Sequence, residues 1–207
     1  MKNTKLKVSY NEMYGKKIKM NEYYEIWSYL KKIDKKAKIL DVGCGYGVLL
    51  EKFIETGSGI DNNIEHVKIC RSKGLNVVYG EAERIPYKND QFDCVILMQA
   101  LEHSFYPNKV FEEIFRVLKK GGLFICTTPS YMSPNAWGDI THIRPYSLYG
   151  LRNLAIDHGF KIKKLYASST IGENNLFTRF IFRRLANSRA FPYLQKILYL
   201  ICIKDHL

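Results

Sequence analysis

Residues 38–47 read KILDVGCGYG. A short apolar run meets an aspartate, and three glycines then occupy every second position. Glycine spaced this way lets the backbone turn tightly and lets a ligand approach the main chain closely. The next residues, Val48–Ile54, predict a helix. A strand that ends in such a turn and feeds a helix is the opening unit of an open α/β sheet. In such sheets the ligand lies beyond the carboxyl ends of the strands.

The rest of the chain repeats the alternation. Gly57–Asp61 predicts a second strand, and Ile64, Val67 and Cys70 a helix stopped by Gly74. Asn76–Tyr79 predicts a third strand. Phe92–Met98 is almost wholly apolar, as a strand buried on both faces must be. Pro107 opens a helix with Val110, Phe111, Ile114, Phe115 and Leu118 on one side, and Gly121-Gly122 is expected to close it. Leu123–Thr127 predicts a strand, Ser147 caps a helix ending at Gly159, and Phe160–Tyr166 predicts another strand. Near the C-terminal end, Leu176–Leu185 has a helical apolar stripe. Ile197–Ile203 (ILYLICI) is read as a strand because it is short, isoleucine-rich and followed at once by charge.

Which ligand suits the loop follows from its departures. The dinucleotide fingerprint needs a third glycine where this chain has Val48. A phosphate gains nothing from Asp41. The zwitterionic amino-acid end of S-adenosylmethionine does, because the carboxylate suits its ammonium. Asp61 comes twenty residues after Asp41, where a carboxylate reaches a ribose diol in doubly wound folds.

Four stretches together, ILDVGCGYG, GID at 59–61, GEAERIPYKNDQFDCVILMQALEH at 80–103 and EEIFRVLKKGGLFICTTP at 112–129, resemble the class I S-adenosylmethionine-dependent methyltransferases. The likeness covers roughly Lys38–Phe160. It implies a doubly wound, Rossmann-like α/β sheet of seven mostly parallel strands, with helices on both faces and the last strand antiparallel. It also implies that Asp41, Gly43, Cys44, Gly45 and Gly47 surround the methionine part of the cofactor. Asp61 would bind the ribose, Asn62 the adenine side, and Glu81 and Ala82 the adenine edge. Glu81 stands where relatives often carry Asp. Met98 and Gln99 would lie near the sulfonium. His103 and His142 are the candidate general bases; the stretch around His142 resembles one that roofs the acceptor pocket in relatives. His66, His158 and His206 are assigned no role, and no metal-ligand set is visible in the spacing.

Composition sets the outer limits. The 207 residues suit one domain with a sizeable core. The five cysteines are odd in number and sit mostly in apolar runs, which reads as reduced, cytoplasmic core residues. No secretory leader is expected, and the apolar runs are too short to span a bilayer. The net charge of +12 is concentrated at the ends: residues 1–38 carry eleven lysines and four acids, and residues 161–207 nine Lys/Arg and two acids. Residues 1–37 are therefore read as a basic helical cap with Tyr23, Ile26, Trp27, Leu30 and Ile33 as its apolar face, and 38–207 as the methyltransferase domain. Within that domain, a basic aromatic insertion at about 171–194 precedes the last strand. Lys16, Lys17, Arg183 and Arg184 are expected beside the cofactor mouth. The leading expectation is methyl transfer to a small-molecule or lipid-linked acceptor, with peripheral contact at an anionic membrane surface. The alternatives are a tRNA or other nucleic-acid methyltransferase and a non-catalytic cofactor-binding partner.

Overall fold

A computed structural model describes residues 24–169, 176–188 and 195–205. Lys16, Lys17 and Tyr23 lie outside these, as do residues 170–175 and 189–194 of the expected insertion. The chain divides into two compact units, Met1–Lys36 and Ala37–Leu207. In the first, the apolar spacing forms helix α1 (Tyr24–Leu30), with Ile26 and Leu30 buried.

The second unit runs β1 (Ile39–Val42), β2 (Gly57–Asp61), α2 (Ile64–Ser72), β3 (Val77–Tyr79), β4 (Phe92–Met98), α3 (Pro107–Val117) and β5 (Leu118–Pro129). It continues with α4 (Pro134–Gly138), α5 (Leu148–Asp157), β6 (Phe160–Ser169), α6 (Leu176–Ala186) and β7 (Gln195–Lys204). The seven strands form one sheet in the order β3-β2-β1-β4-β5-β7-β6. β1 pairs in parallel with β2 and β4, β2 with β3, and β4 with β5, while β7 runs antiparallel to both β5 and β6. ILYLICI is thus a strand, as its composition predicts, lying between β5 and β6.

Two expectations fail locally. Val48–Ile54 does not form an α-helix but a single 3₁₀ turn, Leu50–Lys52. Only nine residues separate Gly47 from Gly57. Within them the chain must turn, bury Leu50 and enter β2, so it takes the tighter ring, with the Lys52 and Phe53 N–H groups closing on the Leu49 and Leu50 carbonyls at 3.0 and 2.8 Å. Helix α3 ends at Val117, not at the glycine pair. The N–H groups of Asp90 and Gln91 take the carbonyls of Arg116 and Val117, and Leu118 already pairs with Phe92. The chain entering β4 therefore captures the helix's last acceptors and converts the segment to strand.

The apolar runs pack as their periodicity demands. β1 is buried along its whole length, and β4 is buried on both faces. The stripe Val110, Phe111, Ile114 and Val117 of α3 is fully buried, and Phe111 meets Phe124 and Phe160 edge-on at 5.3 and 6.0 Å. Each such side chain contributes roughly 1.5–3 kcal/mol by leaving water. This core fixes the carboxyl ends of β1, β2 and β4 side by side. At the outer edge, Asn187 beyond α6 accepts the Ala167 N–H at 2.8 Å and donates to the Ala167 carbonyl at 2.9 Å.

Candidate active site

The glycine loop follows directly from β1. Gly43, Gly45 and Gly47 have φ of 71°, 52° and 73°, the left-handed region that other residues enter only at a cost. The N–H groups of Gly43 and Cys44 both donate to the Ile60 carbonyl at the end of β2. A methyl group on Gly43 would meet the Ala100 Cβ at 2.9 Å, and one on Gly47 would meet Leu75 Cδ1 at 2.5 Å. The same addition at Gly45 meets nothing within 4 Å. The outer two glycines are therefore required by packing, while Gly45 faces open space that a ligand can fill. Cys44 turns inward: its side chain joins a small apolar cluster with Leu50, Val67, Cys70, Leu75 and Val77.

Two carboxylates flank the loop. Asp41 is buried in β1, and among the described residues no side-chain cation pairs with it. Burial, and then the Asp61 charge, push its carboxyl up to about 7. Such a group is relieved by a ligand that brings a positive charge. Asp61 is also buried, yet well supplied with donors. Its Oδ2 accepts the Gly45 N–H at 2.8 Å, and its Oδ1 accepts the Asn63 N–H at 2.9 Å and lies 3.1 Å from His66 Nδ1. His66, assigned nothing on its sequence, is therefore buried behind the site. Its ring also lies 4.7 Å from that of Tyr46. Its position five residues after Asp61, on the first turn of α2, was the available signal.

The remaining cofactor candidates line the same edge. Asn62 is exposed just past β2, while Glu81 and Ala82 form a turn after β3, with Glu81 exposed and Ala82 half-buried. That turn is held by Arg116 from α3. Its guanidinium donates to the carbonyls of Ile85 and Tyr87 at 2.9 and 2.8 Å and to both oxygens of Glu113, and Glu113 in turn accepts the Ile85 N–H. Met98 ends β4 beside Gln99, whose φ of 49° swings the chain across so that Ala100 abuts Gly43. The Gln99 backbone N–H and side-chain amide both bond Thr127 of β5, at 2.9 and 3.2 Å. These residues stand with Asp41, Gly45 and Asp61 at the carboxyl ends of the parallel strands.

Beyond Gln99 lies a second group. Glu102 is fully buried, its Oε2 accepts the Thr128 hydroxyl at 3.0 Å, and its Oε1 has no hydrogen-bond partner. Burial pushes its carboxyl up to about 7. The Glu102 carbonyl accepts the N–H groups of Ile143 and Arg144 at 2.8 and 3.2 Å. That docking brings His142 Nε2 to 4.0 Å from Glu102 Oε1 and 3.9 Å from Asp139 Oδ2. The His103 ring stands 4.9 Å from the His142 ring, and burial lowers the pKa of His103. His103 Nδ1 lies 3.0 Å from the Thr141 carbonyl and His142 Nδ1 3.1 Å from the Ala136 carbonyl. A carbonyl can only accept, so each Nδ1 carries a hydrogen. Exposed apolar side chains surround this group on the same segment: Tyr131, Trp137, Ile140 and Ile143.

β6 runs parallel to the other forward strands, and Tyr166, Tyr199 and Thr127 stand in one row with Met98 across the sheet. Arg183 lies 3.8 Å over the Tyr166 ring, so it is at the level of the site but held by a cation–π contact. Arg184 is exposed.

Residues 40–126 match the family described as a methyltransferase domain. An uncharacterized protein of Methanocaldococcus jannaschii is 34% identical over 118 residues, 56% of this chain and 57% of that one. The ubiquinone biosynthesis O-methyltransferase of Pseudomonas fluorescens is 35% identical over 104 residues, 44% of each chain. The chain spans about half the length of the curated relatives it first matches. A solved SAM-dependent methyltransferase from Archaeoglobus fulgidus superposes with a TM-score of 0.75 at 19% identity, over 95% of this chain and 99% of that one, which is a likeness of fold. Among the described residues no helix is long and apolar enough to cross a membrane.

Proposed function

We propose that the chain is a class I S-adenosylmethionine-dependent methyltransferase, which its methyltransferase-domain match and its fold support, and that it methylates an oxygen on an acceptor with an apolar body, a small aromatic or lipid-linked molecule. The carrying observation is the convergence of two imidazoles, each anchored through its Nδ1–H, with a segment that bears exposed apolar side chains. The bound cofactor supplies a methyl group already activated by its sulfonium. Asp41 would meet its ammonium, Asp61 its ribose, and the Ala82 turn its adenine. The chain's own remaining work is alignment and exclusion of water.

His103 is suited to take the acceptor's proton. Burial keeps its ring neutral near pH 7, its Nδ1–H is anchored on the Thr141 carbonyl, and its Nε2 is left to accept. Tyr131, Trp137, Ile140 and Ile143 would cover the acceptor's apolar body. The name of the Pseudomonas relative supports oxygen as the accepting atom.

The test is transfer of a labelled methyl group to lipid extract, small-metabolite extract and tRNA in parallel. Label is expected in the organic-soluble fraction and reduced at least tenfold by His103→Asn, within the 10²–10⁴-fold range of general-base catalysis. Label in tRNA alone would favour the nucleic-acid reading. Cofactor binding with no transfer to any fraction would favour a non-catalytic partner.

A further inference from the structure

The Glu102, His103 and His142 side chains converge. Their ligating atoms all lie within 4.8 Å of one another. Both Nδ1 atoms are committed as donors to carbonyls, and His142 turns its Nε2 to within 4.0 Å of Glu102 Oε1. Glu102 Oε1 is buried with no donor. Asp139 Oδ2 adds a further oxygen 3.9 Å from His142 Nε2. A cation held among these atoms would give the buried Oε1 the partner it lacks. Imidazoles held through Nδ1–H on backbone carbonyls are also the outer-shell arrangement that metal-binding histidines use to fix their tautomer.

We propose that Glu102, His103 and His142 bind a first-row divalent transition cation. Two imidazoles and one carboxylate favour zinc or its neighbours over magnesium or calcium, which prefer oxygen alone. Three protein ligands leave coordination positions open, as in catalytic rather than structural sites. The present spacing needs only a modest closure of the side chains to reach bonding distances of about 2.0–2.2 Å. With the cation bound, His103 Nε2 is a ligand rather than the base, and an acceptor hydroxyl at an open position would be polarised and lose its proton to water more easily. That use of the metal rests on the methyltransferase reading; its binding does not.

The experiment takes the full chain, stripped with a chelator, and titrates it with Co²⁺ while following ligand-field absorption, then displaces Co²⁺ with Zn²⁺. S-adenosylmethionine affinity is measured separately on the metal-free protein by calorimetry. Expected is one Co²⁺ per chain, displaced by Zn²⁺, with affinity falling at least about tenfold in Glu102→Gln and in His103→Asn. Glu102→Gln keeps the volume and an acceptor for Thr128, and His103 is only half-buried, so both variants are expected to fold and to keep cofactor affinity. Absence of a ligand-field band, or equal Co²⁺ affinity in both variants, would overturn the site and leave a proton-linked cluster. Loss of cofactor binding with Co²⁺ binding intact would count against the methyltransferase reading alone.

Discussion

Replacing Asp41 by Asn separates what the fold wants from what the ligand wants. Asp41 sits in β1 with 5% of its surface exposed, and burial with the Asp61 charge raises its carboxyl from the ordinary 3.8 to about 7. A carboxyl raised on folding favours the folded state below its unfolded value and loses that contribution as pH climbs to the folded one. The contribution of Asp41 to the stability of the cofactor-free protein should thus fall by about 1.4 kcal/mol per pH unit between roughly pH 4 and 7, then level off. The whole effect is about 4 kcal/mol, an upper figure because the site relaxes. Asn carries no charge, so Asp41→Asn should lose this contribution to the slope, keeping that of Glu102, and should be more stable than the parent at about pH 8. Cofactor binding should show the reverse. Pairing with an ammonium pulls the Asp41 proton off, so near pH 7 binding releases about half a proton, read by calorimetry in two buffers of different ionisation enthalpy. The variant should release none from this position and bind several-fold more weakly. Equal slopes of urea-unfolding stability against pH in both proteins, with equal proton release, would refute the reasoning.

Three further outcomes follow from the loop and its supports. Gly45→Ala should cost about 1–2 kcal/mol for its left-handed backbone and weaken cofactor binding, while Gly47→Ala should lose about 1–3 kcal/mol more against Leu75 and Cys70; urea unfolding ranks them, and equal losses would show that the clash is absorbed. Asp61→Ala should lower stability by about 1–3 kcal/mol, because the Gly45 and Asn63 N–H groups and His66 lose their acceptor, and should weaken cofactor binding by a similar amount; an unchanged dissociation constant in a folded variant would remove Asp61 from the site. Arg116→Lys cannot reproduce the fork that spans Ile85, Tyr87 and Glu113. Thermal unfolding should register a loss of about 1–3 kcal/mol, and no loss would mean the Ala82 turn holds itself.

Periodicity made the sheet legible: β4 and β7 announce themselves as unbroken apolar runs, and Gly74 and Ser147 mark helix boundaries where the structure has them. What the sequence hid was tertiary competition for backbone groups. The Asp90 and Gln91 N–H groups end α3 early, and no local preference in that helix predicts it. The site divides the same way. Asp41, Asp61 and the glycines are readable because they cluster in one motif, and the structure gathers them on one edge. His66 was marked only by its spacing from Asp61 across the turn from β2 to α2, and Glu102 was hidden because its burial and its approach to His142 depend on a loop forty residues away docking on its carbonyl.

The place of β7 has a consequence for how the chain reaches this structure. It is seventh in sequence but lies inside the sheet, bonded to β5 on one side and β6 on the other. On the ribosome, β1 to β5 can assemble as they emerge, because each parallel pair is complete within the residues already made. β5 then waits with a bare flank until residues 195–204 arrive, and β6 cannot join the sheet at all without them. Closing these long-range pairings is intrinsically slow. During that interval the flank of β5, with its buried Phe124, Ile125 and Cys126, is a template for any other strand nearby. Nascent chains stalled before residue 195 should therefore need chaperone protection more than chains stalled a few residues after 204 have cleared the exit tunnel.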